Sequence, residues 1–434
     1  MTTLHLCIAT GQNAANFIPL KQLQAQEIWI LETPEMQKQQ SAKALTMALK
    51  SALPEAQLRT LAFDDSTPAS MQAAALQLAC DQLDGRDVVF HATGGTKLMV
   101  LAIHQQLLNL ASGQGRYRLL YADTFQQTLS WLDDTPRQEA MQDVLTRDEQ
   151  LLLRGYRTTN DTRPAQIQQR AAERAKVTRF MGEKSAQLKG FLSTLNYHAN
   201  QAADGKSLTR DMDYLPRAST AAGKLLDLAQ EHGLLTMDEA YSSITFTNQE
   251  AAKYLGGGWV EEYVFLKFTG TLAPTQYTLG AQITHSVSKT SNEIDGIAVA
   301  NNRALIIECK AKKQDQAQDA IYKLGQLVKQ VGGLMARGLY VSAKPVSDTD
   351  RARPANTASI SLLAMNWPPS ATTCAVGKTA SKHDDLPPPH PLGRHRPVTT
   401  NPHRNAVRPG RDTGGRNRAL HPHRSPPHHH HSGR

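Results

Sequence analysis

Over the first 145 residues, short apolar runs alternate with longer amphipathic stretches. Leu4–Thr10, Glu27–Leu31, Gln57–Phe63, Asp87–Thr93 and Arg118–Tyr121 read as strands, and helices fit near 14–24, 35–52, 68–83 and 96–111. Alternation of this kind predicts an α/β domain whose mostly parallel sheet carries helices on both faces. Thr128–Asp133 predicts an antiparallel edge hairpin with the strand before it. Ligands in such sheets bind at the carboxyl ends of the strands.

The pattern then changes. Residues 146–250 read as a helical connector: Ala171–Leu195 has helical composition, and Arg217–Phe246 suggests two helices and a short strand pair, similar to a winged helix. Gly256-Gly257-Gly258 forms a joint, after which Trp259, Val260, Tyr263 and Val264 give one apolar helical face. Two strands follow, Asp295–Val299 and Ala304–Cys309, joined by Asn301-Asn302-Arg303, a turn that favours a tight antiparallel hairpin. A helix at Asp319–Val331 and a strand at Gly338–Ser342 complete a third domain, set at 251–353.

Composition changes this picture mainly at the end. The net charge of +9 divides into −4 for residues 1–145, +5 for 146–353, +1 for 354–380 and +7 for 381–434. The positive excess therefore says little about the folded part. From Ser381 onward the chain holds 10 His, 10 Pro and 9 Arg, too little apolar surface to offset chain entropy. Residues 354–434 read as a disordered tail, either a basic arm or, as favoured here, an out-of-frame translation whose true frame would supply one more strand and helix. Four cysteines without CxxC spacing indicate neither a disulfide framework nor zinc. No secretory signal and no apolar run near 18 residues is present, so a reduced, cytoplasmic protein without a membrane partner is expected.

Candidate chemistry sits in two places. Gly11-Gln12-Asn13 follows the first strand, and Thr93-Gly94-Gly95-Thr96-Lys97 follows the fourth and opens a helix. Paired glycines let backbone approach a ligand, and a helix N-terminus offers free N–H groups to an anion. Thr96 is placed to cap that helix and Lys97 to add a cation. The plain alternative is a Gly-rich turn. In the third domain Asp295 precedes Glu308-Cys309-Lys310 by a 12-residue gap, placing two carboxylates and an ammonium on neighbouring strands. Hard divalent cations take such oxygen ligands, and a Lys beside the metal neutralises phosphate charge. A surface Glu–Lys pair, worth about 0–1 kcal/mol, is the alternative. Lys312 and Lys313 are placed to meet phosphates.

His91-Ala92-Thr93-Gly94-Gly95-Thr96-Lys97-Leu98-Met99 resembles the TGGTK signature of CARF domains, the CRISPR-associated sensors of Rossmann-like fold, although that family more often has Asn or a similar polar residue at the position of His91. The resemblance implies a dimer that binds a cyclic oligoadenylate through Thr10, Gly11, Gln12 and Asn13 in one loop and Thr93, Gly94, Gly95, Thr96 and Lys97 in another. The Asp-x12-Glu-x-Lys spacing resembles the PD-(D/E)xK nuclease superfamily. That resemblance implies Mn²⁺ or Mg²⁺ held by Asp295, Glu308 and the Cys309 carbonyl, with Lys310 catalytic. An acidic residue on the first helix of that superfamily often extends the metal shell, and of Glu261 and Glu262 the second is preferred. Gln326 is a candidate to orient the Lys or water.

Together the two patterns resemble the CRISPR ancillary nucleases that join a CARF sensor to a restriction-endonuclease-like α/β domain. They imply a homodimer, activated by cyclic tetra-adenylate, that cuts single-stranded DNA or RNA in type III antiviral defence. Two alternatives stand beside this: a ligand-controlled DNA-binding regulator built from a CARF domain and a winged helix, and a ligand-independent restriction or repair nuclease. The second leaves TGGTK unexplained.

Overall fold

The first sheet has seven strands: β1 (Leu4–Ile8), β2 (Glu27–Glu32), β3 (Gln57–Ala62), β4 (Val88–His91), β5 (Tyr117–Asp123), β6 (Thr128–Trp131) and β7 (Arg137–Ala140). Their order is β3-β2-β1-β4-β5-β6-β7, parallel through β5 and antiparallel thereafter. A computed structural model describes residues 2–83, 85–111, 116–132, 136–159, 163–205, 207–269, 271–311, 317–343 and 360–364. Lys312, Lys313 and most of the C-terminal tail, including all of the second unit at Asp385–Arg434, lie outside these residues.

All five residues of β1 are buried, as a strand covered on both faces requires. Strand order reverses at β1, whose neighbours are β2 and β4, so the crevice between the ends of β1 and β4 is the topological switch point. The helix expected over 35–52 divides into Pro34–Lys38 and Ser41–Ala52 because Gln40 adopts a left-handed conformation, φ +55°.

Two histidines lie within this sheet. His5 Nδ1 and His91 Nε2 are 3.0 Å apart, and His91 is only 1% exposed. Burial, and next the charge of Arg118, pushes His5 down to about 4; burial and then His5 hold His91 well below its ordinary range. Both are therefore neutral in the fold at neutral pH. The unfolded chain takes up these protons below about pH 6.5 while the fold does not, so stability falls as pH drops from there towards 4. His5 alone should cost about 2 kcal/mol at pH 5 relative to pH 7.5. Urea denaturation at the two pH values checks this. The midpoint should fall further for the wild type than for His5→Gln, and equal falls would contradict the assignment.

The connector contains the helices Ala175–Glu183, Ser185–Asp204 and Ala221–Glu231 and a small antiparallel sheet of β9 (Thr209–Asp211), β10 (Leu235–Met237) and β11 (Ser243–Phe246), ordered β10-β11-β9. The winged-helix-like strand pair is present, with one helix rather than two in the 217–246 stretch. Upstream of it lies β8 (Tyr156–Thr158), inside the stretch expected to be helical.

β8 joins the third domain. That sheet adds β12 (Tyr277–His285), β13 (Ser291–Ala300), β14 (Arg303–Lys310), β15 (Arg337–Ser342) and β16 (Ile360–Ala364), in the order β16-β15-β14-β13-β12-β8. The first three pair antiparallel, whereas β14, β15 and β16 run parallel. β16 pairs with β15 through Tyr340↔Leu362, so the sheet continues past the boundary set at 353 and into the stretch set apart as tail.

Three apolar cores hold these layers. The outer face of the first sheet packs Leu6, Trp29 and Phe90 against its helices. Its inner face shares one core with the third domain, where Cys7, Phe17 and Val89 cluster with Ile283, Ile297 and Ile306. The connector packs on the other face of the third sheet, with Trp259, Tyr263, Leu305 and Ile307 together. β14 thus alternates between two cores, Leu305, Ile307 and Cys309 on one side and Ala304 and Ile306 on the other.

A polar lock reinforces the shared core. Asn301 and Asn302 both have positive φ, 50° and 55°, as a two-residue hairpin turn requires. Asn302 is 4% exposed. Its Oδ1 accepts from Val144 N and Leu145 N, each at 3.0 Å, and its Nδ2 donates to Gln142 O at 2.7 Å and Gln127 Oε1 at 3.2 Å. The turn of the β13–β14 hairpin is therefore fixed to the end of the first domain.

Candidate functional site

The register Gly296↔Ile307, carried one residue further, sets Asp295 beside Glu308 at the open end of the hairpin. Asp295 Oδ2 accepts from the Cys309 N–H at 2.8 Å, which anchors its carboxylate to β14. Lys310 Nζ lies 3.5 Å from the same oxygen and is ion-paired with Glu308 Oε1. The three residues expected to form a catalytic group are thus together.

The charges of these residues act on one another. Burial, followed by the charge of Asp295, raises the Glu308 pKa. Burial opposes the charge on Lys310, but Asp295 and Glu308 outweigh it and the net shift is upward. Glu261 on the Trp259–Phe268 helix is pushed up to about 8 by burial and then by Asp295, with Lys310 pulling the other way. Glu261 is therefore within electrostatic reach of the cluster.

Glu262 does not, and the preference for it is corrected. Its carboxylate is 3% exposed and accepts from Arg174 Nε at 3.0 and 2.9 Å, with Arg174 Nη2 on the same group. Thr178 Oγ1 adds a bond at 3.4 Å, and the guanidinium stacks 4.0 Å from the Tyr254 ring centroid. Adjacent helical positions point in different directions, and the deeper one is consumed by a buried cation. Gln326 is half-buried on the Ala317–Leu327 helix. The charge on that helix that reaches Glu308 is Lys323, which lowers the carboxyl pKa. Lys323 escaped the sequence reading because a single Lys on an amphipathic helix looks like ordinary surface.

The donor set suits a hard divalent cation. Asp295, Glu308 and Glu261 offer carboxylate oxygens, and the first raises the pKa of the other two, a repulsion that a doubly charged ion relieves. Among the described residues no three His, Cys, Asp or Glu side chains are grouped closely enough to hold a metal ion, and Lys310 spans Asp295 and Glu308. Cys7, Cys80 and Cys309 are free thiols, and burial raises the Cys309 pKa, so a thiolate site is not favoured.

The second cluster lies at the switch point. Gly94 and Gly95 are glycines for steric reasons: a Cβ on Gly94 would fall 2.3 Å from the Ile8 carbonyl, and one on Gly95, with φ +82°, 2.6 Å from Ile8 Cδ1. They press the second loop onto the end of β1, next to the first loop. Thr96 Oγ1 accepts from Met99 N at 3.3 Å, the expected cap, and Lys97 is exposed at the start of the Lys97–Ala111 helix. Thr93 Oγ1 accepts from Ala122 N at 2.7 Å.

In the first loop, Gln12 N donates to Thr10 Oγ1 and Thr10 N to Asn13 Oδ1, both at 3.0 Å. Asn13 is buried and also donates to Ser41 O at 2.8 Å, so its side chain shapes the loop instead of facing the crevice. Gly11, Gln12, Gly95, Thr96 and Lys97 are the exposed members of the nine expected ligand residues.

Two family models match the chain. Residues 4–149 match the Card1 CARF domain family, and residues 248–363 match the Card1-like endonuclease domain family. The second match, to an endonuclease domain, points to a divalent-metal requirement and covers β16 up to Leu363. No curated protein matches the chain. Among solved structures, Can2 from Sulfobacillus thermosulfidooxidans, in complex with cyclic tetra-adenylate, superposes with a TM-score of 0.68 at 21% identity, over 87% of this chain and 99% of that one. Protein VC1899 from Vibrio cholerae gives 0.72 at 20% identity, over 87% and 97%. At such identities the likeness is one of fold. Among the described residues no helix is long and apolar enough to cross a membrane. An endonuclease domain leaves the DNA-binding regulator without support. The chain thus joins a domain of the Card1 CARF family at one end to a domain of the Card1-like endonuclease family at the other.

Proposed function

We propose that this chain works as a homodimer that cyclic tetra-adenylate switches on to cut single-stranded nucleic acid with Mn²⁺ or Mg²⁺. The observation that carries the reading is the Asp295–Glu308–Lys310 cluster in the same chain as the two-loop crevice at the switch point. Can2, similar in fold, was solved in complex with cyclic tetra-adenylate. The loops offer exposed backbone and Lys97, the features that suit a phosphodiester ring.

A second copy of the chain suits the Lys97–Ala111 helix. Leu98, Leu101 and Leu108 are 54%, 61% and 46% exposed on it, an apolar stripe that begins at the second loop. A two-fold partner on this stripe would cover it and bring both pairs of loops to one axis.

For the reaction, Asp295, Glu308, the Cys309 carbonyl and Glu261 would hold the ion. A bound divalent ion lowers the pKa of water and polarises the scissile phosphate. Lys310 adds positive charge where the pentavalent phosphate becomes more negative. Asp295 is kept in place by the Cys309 N–H, so the group needs little reorganisation. Gln326 would orient Lys310 or the water. The full chain should be incubated with labelled single-stranded DNA and RNA, with and without cyclic tetra-adenylate and Mn²⁺. Cleavage that requires both additions is expected; cleavage indifferent to the nucleotide would contradict the switch.

A further inference from the structure

Arg154 follows the Arg147–Leu153 helix and touches two domains at once. Its Nη1 donates to the Gly11 carbonyl in the first loop of the sensor domain. Its Nε donates to Gln330 O at 3.0 Å and its Nη2 to Lys329 O at 3.1 Å, both in the nuclease domain. Gln12 Oε1 accepts from Leu334 N at 3.3 Å, and a Cβ on Gly333 would lie 2.7 Å from that oxygen. The first loop is thus bonded to residues 329–334. This stretch leaves the helix bearing Lys323 and enters β15, the parallel neighbour of β14, with Glu308 opposite Tyr340.

The bonding is exchangeable. All three acceptors of Arg154 are neutral backbone carbonyls, whereas a guanidinium binds phosphate about twice as strongly and in a two-pronged geometry. A polar cavity of about 150 Å³ opens beside it, lined by Thr10, Gly11, Lys43, Arg154, His285 and Ser286. The Ser286 hydroxyl is buried there without a partner. A phosphate bound at this loop has both room and a reason to draw the guanidinium from the helix-end carbonyls.

We propose that Arg154 is a positioning residue that couples the two sites within one chain: a phosphodiester activator at residues 10–13 takes its guanidinium from Lys329 and Gln330 and so loosens the segment leading into β15. This rests on the reading of the crevice as the activator site. Amide hydrogen exchange of the full chain tests it, comparing wild type, Arg154→Ala and Arg154→Lys, with and without cyclic tetra-adenylate.

In the wild type the activator should speed exchange at residues 328–336 at least fivefold. Arg154→Ala should already exchange fast there without ligand, while amides of β2 and β3 keep their protection, and the activator should add nothing. Arg154→Lys keeps the charge but not the fork and should restore part of the response. The ratio of cleavage with activator to cleavage without it should fall at least tenfold in Arg154→Ala. Wild-type protection at 328–336 in ligand-free Arg154→Ala would overturn the coupling, as would an unchanged activator response. A wild type that does not bind cyclic tetra-adenylate would refute the activator reading instead, and the ligand-free comparison would still judge the clamp.

Discussion

Replacing Lys310 with Ala is expected to slow strand cleavage by about 10²–10³-fold, the usual loss when one preorganised transition-state donor is removed. Its ammonium bridges Asp295 and Glu308, at 3.5 Å from the first, and no other cation makes an ion pair with either carboxylate among the described residues. Glu308→Ala is expected to bring cleavage to background, because it removes a carboxylate that the ion requires. Both variants should bind activator as the wild type does, since the cluster lies in the third sheet and the activator loops in the first. Single-turnover cleavage and fluorescence binding on the same preparations check the pair. Retained cutting after either change would remove this cluster from the mechanism.

Arg174→Ala should produce the largest loss of stability, about 3–5 kcal/mol, as is typical when one partner of a buried ion pair is deleted. Glu262 would be left in the core without its guanidinium, and burial already raises its pKa even with the partner present. The neighbouring Glu261→Gln should behave in the opposite way. It replaces a carboxyl that burial and then Asp295 hold largely protonated in the metal-free fold, so folding should change little while metal-dependent cleavage is lost. Urea unfolding and cleavage rates for both variants separate the roles. A stable Arg174→Ala protein with an unstable Glu261→Gln protein would reverse the assignment of the two glutamates.

What could be read from the residues depended on how local the deciding contact was. β1, β2 and β4 were legible as apolar runs, and the Asn301-Asn302 turn announced its hairpin and hence the approach of Asp295 to Glu308. β7 was not, because all four of its residues are exposed and carry no alternating pattern. β8 has only three residues, and its place beside β12 is set by pairing across more than 120 positions. β12 gave no simple alternation, because Tyr277 to Ala281 are all buried, Tyr277 and Leu279 join one core and Ile283 the other, and Gly280 between them has φ +57°.

The glutamates show the limit most clearly. Two adjacent acids on a helix look equivalent until Arg174, 88 residues away, claims one of them. Asn13 likewise has the chemistry of a ligand contact, yet its amide is spent inside its own loop and on Ser41, 28 residues on. The TGGTK stretch read correctly because its physics is local: two glycines pressed on a strand end, a capping threonine and an exposed lysine.

Titration of the full chain with Mn²⁺ in a calorimeter addresses the central proposal most directly. Saturable binding to the wild type, lost in Asp295→Asn and retained in Glu262→Gln, is the predicted result. No uptake of heat by the wild type beyond dilution, or binding that survives Asp295→Asn unchanged, would contradict the account.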